Sequence, residues 1–293
     1  MSISMGLSAF SLPAYALKGP QVDPGASLAI ADGRLRFPTL TDIRRRCDPL
    51  LAQHPFPASQ SALDDDLEEL IALQDIRHTQ AIEGCFKSRS RKPLSDFLTI
   101  RFEASDGFSG QHKVGGPCLL TGAELARWFE NDTPLLGGWM ALNALLAKHK
   151  KPPTQQALIW AALDAAIAAA LLAAWHYKWM EPTSRLKPRP SEVCDQLVIL
   201  YGKDLAGCPI ANPNGFSGVP RHPAYPSGHS TVSGATSALL KRFFPDQSDQ
   251  IQLDNLADNA GLARMWAGIH YRADHEFGLA LGCAVADLVF PAA

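Results

Sequence analysis

Residues 157–175, ALIWAALDAAIAAALLAAW, form the longest apolar run of the chain and decide its fold class. Alanine is the strongest helix former and Thr154 is a good helix cap, so we expect one long helix that ends near 178–180. Asp164 lies within the run and contributes about 2.5–3.5 kcal/mol against membrane insertion, which alanine offsets only slightly. No second run of this length accompanies it. The sequence therefore predicts a buried helix of a soluble protein and no membrane span.

Helical caps and periodicity recur along the chain after about residue 60. Ser61 opens a helix with an acidic first turn, and Thr133-Pro134 starts another that runs to about Lys148. Further helices are expected at 191–201, 229–243, 251–267 and 274–290. Strand-period segments of useful length are missing from the sequence. The predicted fold class is therefore all-α, a helical bundle.

The first 60 residues differ in composition from the remainder. They are rich in Pro, Gly and Ser and lack sustained periodicity, which predicts an extended N-terminal arm over 1–60 and a single helical catalytic domain over 61–293. The stretch 14–16, Ala-Tyr-Ala, resembles a signal peptidase site, but no Lys or Arg precedes Lys18. We therefore expect a cytoplasmic protein, with periplasmic or secreted localisation as the alternative.

Charge and cysteine usage exclude several classes of function. The chain has 27 basic and 29 acidic residues, so no broad basic field favours a nucleic-acid partner. The six cysteines form no C-x-x-C pair, which favours buried free thiols over a zinc site. A homo-oligomer stays open, because no pattern bears on it. Any anion site must be local.

Three separated segments have the chemistry of an anion site. The first contains Lys178, and then Arg185 and Arg189, whose side chains are strong donors to oxyanions. The second is PSGHS at 226–230, which is typical of a turn that opens a helix. In it Ser227 can cap the helix, and a following glycine lets backbone N–H groups approach an anion closely.

Histidines follow in the second and third segments. His229 would lie beside an anion at that helix start, where proton transfer is needed. The third segment contains Arg264, His270 and Asp274. A carboxylate four residues after an imidazole can fix its tautomer and make the other nitrogen a better nucleophile or ligand. Each segment alone is equally compatible with an ordinary cap or a buried polar network, whereas their joint occurrence favours a site.

In this order and spacing, the segments resemble the superfamily of type 2 phosphatidic acid phosphatases, bacterial acid phosphatases and vanadium-dependent haloperoxidases. PSGH at 226–229 matches, and so does the Arg-x5-His-x3-Asp pattern of 264–274, with Ala263 where serine is usual. The first motif departs, since Arg189 follows Lys178 by eleven positions instead of seven. We assign Arg189 to it, with Arg185 as the rival.

The resemblance implies a helical bundle of the acid phosphatase/vanadium haloperoxidase type with the site at its centre. It implies that His270 attacks phosphorus or binds vanadium directly, that Asp274 orients it, and that His229 is the acid–base group. The groups implied to hold the oxyanion are Lys178, Arg189, Arg264, Ser227 and the amide of Gly228.

Two activities are compatible with these residues. The expected one is phosphoric monoester hydrolysis through a phosphohistidine at His270, with a small-molecule phosphate ester as substrate and no cofactor. The alternative is a haloperoxidase that holds vanadate at His270 and oxidises halide with hydrogen peroxide. His222, seven positions before His229, and the pair Lys178-Trp179 resemble the haloperoxidases. A non-catalytic scaffold with a degenerate site is a third hypothesis, based on the altered first motif.

Overall fold

The structure is a computed structural model that describes residues 34–56, 60–78, 99–100, 118–119, 122–123, 126, 129, 134–180, 188–200, 220 and 222–291, and most of these residues are helical. The helices are α1 Leu40–Cys47, α2 Gln60–Ile76, α3 Pro134–His149, α4 Pro153–Trp179, α5 Pro190–Val193, α6 Gly228–Phe243, α7 Gln247–Trp266 and α8 Arg272–Val289. A 3₁₀ turn spans Asp48–Ala52, and the two-residue strands β1 Thr99–Ile100 and β2 Cys118–Leu119 pair antiparallel. The predicted all-α fold class is confirmed.

Helix α4 contains the alanine-rich run and packs against both α6 and α8. It is long and apolar enough to cross a membrane, and 61% of its most apolar window is buried inside the protein. Its polar interruption, Asp164, accepts a hydrogen bond from Trp139 Nε1 at 2.9 Å. A core helix of a soluble protein has the same length and composition, so the absence of a membrane span stays a prediction.

Helices α6 and α8 form the most extensive helix–helix contact, because glycines line it. A Cβ at Gly278 would lie 2.7 Å from Ser230 Cβ and 2.9 Å from the backbone oxygen of Ser227. A Cβ at Gly234 would lie 2.8 Å from the backbone oxygen of Leu279. Only glycine permits this approach, which fixes the start of α6 against α8.

Helix α1 lies where the sequence predicted extended chain, so that expectation is wrong over its length. A capping box starts it: Thr39 Oγ1 accepts from the Asp42 N–H at 3.2 Å, and Asp42 Oδ2 accepts from the Thr39 N–H at 3.0 Å. Ile43 and Cys47 are buried, and the helix packs on α8. The division into an arm and a catalytic domain stays a prediction.

The helix expected at 191–201 is also wrong over most of its length, because α5 ends at Val193. Part of the chain beyond it bonds to α2 and to the turn that follows α2. The Val198 N–H donates to Gln74 Oε1 at 2.6 Å, and Arg77 Nη1 donates to the Val198 oxygen at 2.7 Å. These partners replace the bonds that a continued helix would have supplied.

Candidate active site

The PSGHS segment forms the start of α6. Ser227 is the N-cap, and its Oγ accepts a hydrogen bond from the Ser230 N–H at 3.3 Å. Gly228 is the first helical residue, and no atom of the described part of the chain lies within 4 Å of where its Cβ would be. The positive end of this helix therefore adjoins space that the described residues leave open, next to His229, and this is the arrangement that attracts an anion.

The third motif joins the end of α7 to the start of α8. Gly268, with φ 77°, donates to the Met265 oxygen at 2.8 Å, and the Ile269 N–H donates to the Arg264 oxygen at 3.1 Å. This is a Schellman ending, and it needs the positive φ that glycine adopts without strain. The turn brings His270 back within electrostatic reach of Arg264, whose charge lowers the histidine's pKa.

Asp274 serves both helix α8 and His270. Its Oδ2 accepts from the Tyr271 N–H at 3.0 Å and lies 2.7 Å from His270 Nδ1. Because a carboxylate beside the ring favours the proton on Nδ1, Nε2 keeps its lone pair. Burial raises the pKa of Asp274 to about 7, against the opposing effect of the Tyr271 N–H. The Ser227 N–H donates to the backbone oxygen of Asp274 at 2.9 Å, and this bond ties the PSGHS motif to the third motif.

Arg189 lies on the other side of His270 and is 1% exposed. Its Nη1 donates to the Ile269 oxygen at 2.7 Å and to His270 Nε2 at 3.1 Å. A guanidinium only donates, so Nε2 is the acceptor, in agreement with the tautomer that Asp274 favours. Arg185 lies outside the described residues.

Lys178 is buried at the end of α4. Its Nζ donates to the backbone oxygens of Pro223 at 2.8 Å, of Ala224 at 3.0 Å and of Pro226. The ammonium group therefore shapes the loop that leads into PSGHS. Its charge also lowers the pKa values of both site histidines, His229 and His270.

Both imidazoles of the site have a pKa well below the usual value. Burial is the main cause for each, followed by Arg264 for His229 and by Arg189 for His270. A hydrogen bond to the Phe129 carbonyl opposes the shift of His229. His229 also contributes to the lowered pKa of His270, after burial and the three cations, so the two rings lie within electrostatic reach of each other. Neutral imidazoles are the form that a base or a nucleophile requires.

His222 lies at the edge of this site. Arg189 Nη2 lies 3.1 Å from His222 Nδ1, and Arg189 Nε donates to the His222 oxygen at 3.1 Å. Burial lowers the pKa of His222 to about 4, and the charges of Lys178 and Arg189 add to the effect. The Trp175 ring meets the imidazole edge-on, with the centroids 5.0 Å apart.

The donor set fits a tetrahedral oxyanion, either phosphate or vanadate. Among the described residues, three buried cations of the site, Lys178, Arg189 and Arg264, face one buried carboxylate, Asp274. The local charge is therefore positive, and a bound anion offsets it. Within this set, the lone pair of His270 Nε2 is a candidate nucleophilic or ligating atom.

A buried polar bridge next to this site was not predicted from the sequence. Ser230 Oγ lies 3.0 Å from His275 Nδ1, and His275 Nε2 lies 3.8 Å from Asp258 Oδ1. Ser230 directly follows His229, and His275 directly follows Asp274. The bridge therefore links α6 to α8 one position beyond each motif. A polar residue adjoining each motif was the available signal.

Comparisons with known proteins agree with the motifs. The family model of the PAP2 superfamily matches residues 166–293, which confirms the resemblance to that superfamily. A vanadium-dependent bromoperoxidase of Corallina officinalis is 35% identical over 100 residues, covering 25% of this chain and 17% of the relative. A second vanadium-dependent bromoperoxidase, from Ascophyllum nodosum, is 33% identical over 92 residues, covering 22% of this chain and 16% of that relative. The chain thus spans about a sixth of the length of these relatives.

A bacterial vanadium-dependent iodoperoxidase has a similar fold, with a TM-score of 0.50 and 20% identity. The similarity covers 80% of this chain and 50% of that one. Members of the superfamily are phosphatases or vanadium haloperoxidases.

Proposed function

We propose that this protein is a phosphoric monoester hydrolase in which His270 forms a phosphohistidine and His229 is the acid–base group. One observation carries the proposal: His270 presents an unprotonated Nε2 inside a buried cationic site, with Asp274 2.7 Å from its other nitrogen. Nucleophilic catalysis needs an activated atom of this kind next to donors for the developing charge.

Substrate binding uses the positive charge of the site. The phosphate group of the ester takes the space at the start of α6, where Arg189, Arg264 and the helix N-terminus donate to its oxygens. Arg189 Nη1 then bonds to phosphate oxygen instead of His270 Nε2, which frees the lone pair. The dianion also offsets the cations that lower the pKa of His229, so this ring gains a proton as the substrate binds.

The chemistry proceeds in two displacements at phosphorus. His270 Nε2 forms a bond to phosphorus while the bond to the ester oxygen breaks, and His229 gives its proton to the leaving oxygen. His229 then takes a proton from water, whose oxygen attacks phosphorus as the phosphorus–nitrogen bond breaks. Stabilisation of the phosphoryl oxygens by the two arginines supplies most of the rate acceleration.

Hydrolysis of a chromogenic aryl phosphate by wild type and His270→Ala tests this proposal. We expect the variant to lose the activity, and acid-labile phosphohistidine to be trapped only in wild type. His149→Ala is a matched control, since it removes a histidine at the end of α3, outside the site. Equal rates for wild type and His270→Ala would reject the proposed function, and they would favour a non-catalytic scaffold.

A second candidate is a vanadate-dependent haloperoxidase. The local identity with bromoperoxidases and the contact of His222 with Arg189 favour it. His270 Nε2 would bind the metal atom, and Arg189 and Arg264 would face its oxygens. Lys178 would hold the loop before PSGHS in place and add its charge. Bound vanadate would supply the activation of hydrogen peroxide towards halide.

Vanadate reconstitution tests the second candidate. Elemental analysis should find bound vanadium, and a phenol dye should be brominated when peroxide and bromide are present. Absence of vanadate-dependent bromination rejects the haloperoxidase. His222→Ala should reduce halide oxidation more than phosphate ester hydrolysis, and equal effects would contradict the role of His222.

The remaining assignments are sequence-based predictions that we include in the proposal, with periplasmic or secreted localisation as the alternative to the cytoplasm. The catalytic unit is the helical domain of residues 61–293, it acts on a small molecule, and its compartment is the cytoplasm. Neither nucleic acid nor membrane takes part, and homo-oligomers remain compatible with the site. Fractionation of cells with an antibody to the chain, followed by size-exclusion chromatography, measures both compartment and assembly.

A further inference from the structure

Helix α4 carries one exposed apolar face at its carboxyl end, although most of the helix is buried. Three large side chains form this aromatic face: Leu172 is 44% exposed, Trp175 42% and Trp179 55%. Their spacing of three and four residues places them on the same side of the helix. The rings of Trp175 and Trp179 are nearly parallel, at 5°, with centroids 6.5 Å apart.

The aromatic face is connected to the cationic site through His222. Trp179 follows Lys178 in the chain, and the Trp175 ring contacts His222 at 5.0 Å between centroids. His222 in turn lies 3.1 Å from Arg189, which lies 3.1 Å from the nucleophilic nitrogen of His270. Two side chains therefore separate the exposed rings from the reacting atom.

We propose that the aromatic face binds the planar apolar part of the substrate while the anionic group of the same molecule occupies the cationic site. The substrate class is then the aryl-bearing phosphate monoesters. This inference rests on the proposed function and makes it more specific. Parallel indole rings favour stacking or edge-on contact with another ring, and the cations beside them require an anion on the same ligand.

A second copy of the chain is a poorer occupant of this face. A stable protein–protein interface uses about 20–30 residues on each side, whereas three apolar side chains stand exposed at this end of α4. A bilayer surface would accept the apolar residues, but it does not account for the contact from Trp175 through His222 to Arg189.

Binding of two phosphonates tests the inference without turnover. Phenylphosphonate and methylphosphonate have the same anionic group and differ by the ring, and calorimetry measures both affinities. In wild type we expect phenylphosphonate to bind about ten-fold more tightly, because ring contacts add to burial. Trp179→Ala should bring the two affinities close together, and Trp179→Phe should restore part of the preference.

Ile251→Ala is the matched control. Ile251 is similarly exposed at 53%, and it lies thirteen residues before Arg264 on α7, about 20 Å along the helix. We expect this variant to keep the wild-type preference.

The outcomes separate the two proposals. If neither phosphonate binds wild type, the anion site fails and the proposed function fails with it. If both bind and Trp179→Ala keeps the wild-type preference, the proposed function stands and the role of the aromatic face is overturned. That second result, together with a Trp179-dependent change in sedimentation or in binding to phosphatidylglycerol vesicles, assigns the face to a second copy or a bilayer instead.

Discussion

Gly278 sets the spacing of the two helices that carry the site. It lies one turn after Asp274 on α8, where a Cβ would stand 2.7 Å from Ser230 Cβ and 2.9 Å from the Ser227 oxygen. Ordinary contact begins at about 3.4 Å, so Gly278→Ala has to move α6 away from α8 by about 0.7 Å. The same movement stretches the 2.9 Å hydrogen bond from the Ser227 N–H to the backbone oxygen of Asp274.

The cost of Gly278→Ala has a structural and a catalytic part. Overpacking costs about 1–3 kcal/mol, and the better helix propensity of alanine returns up to about 1 kcal/mol. We therefore expect a net loss of about 1–2 kcal/mol, which lowers Tm by several degrees. A displacement of about 1 Å at a reacting group costs about 100-fold in rate, so kcat/KM should fall by at least about ten-fold.

Thermal denaturation followed by circular dichroism measures the loss of stability. Aryl phosphate hydrolysis, assayed below the unfolding transition, measures the loss of catalytic efficiency. Gly137→Ala on α3 is the control, because Leu256 Cδ1, at 3.9 Å, is the one contact that its Cβ would make with the described residues. That variant should be as active as wild type and equally or slightly more stable. The reasoning is refuted if Gly278→Ala is as stable as wild type. Loss of stability with full activity would separate the helix spacing from catalysis.

Three further substitutions probe groups around the site. The carboxylate of Glu69 accepts hydrogen bonds from Arg272 Nε and Nη2 at 2.6–2.9 Å. Glu69→Gln weakens this ion pair, and urea denaturation should show a loss of about 2 kcal/mol in the free energy of unfolding. Tyr177→Phe removes the 2.6 Å hydrogen bond to Asp48 and should cost about 1 kcal/mol without lowering phosphate ester hydrolysis. Burial lowers the pKa of His222 from 6.5 to about 4. As the pH falls, the unfolded chain therefore binds this proton before the folded protein does. The free energy of unfolding of wild type consequently decreases between pH 6.5 and about 4. In His222→Gln, the denaturation midpoint should decline less steeply over the same pH range. If the midpoints of the variant and wild type decline in parallel, the lowered pKa of His222 is contradicted.

Local geometry explains why the third motif was predictable. The interval from Arg264 to Asp274 contains one helix ending and one helix start, each with a fixed number of residues. Gly268 supplies the ending, and Asp274 caps the next helix by accepting the Tyr271 N–H. The contact between His270 and Asp274 follows from this short path. The same holds for Ser227 as the cap of α6.

Tertiary partners explain what the sequence analysis could not predict. Arg189 meets His222 across 33 positions and His270 across 81, so no local pattern distinguishes it from Arg185. The missed helix α1 has a local cap, but its apolar positions are few and are buried by tertiary contacts, mainly with α8. The wrongly expected helix at 191–201 failed for the opposite reason, because distant groups compete for its backbone.

The partners of the buried cations account for the charge of the site. A buried charge has to be paired or hydrogen-bonded, and carboxylates are the usual solution. Here Lys178 donates to three backbone carbonyls, and Arg189 donates to the carbonyls of His222 and Ile269. Carbonyls satisfy the donors without cancelling the charge, whereas carboxylates would leave the site neutral. Among the described contacts, these neutral partners keep the positive potential that the proposed dianionic substrate requires, and they hold the donors in place before it binds.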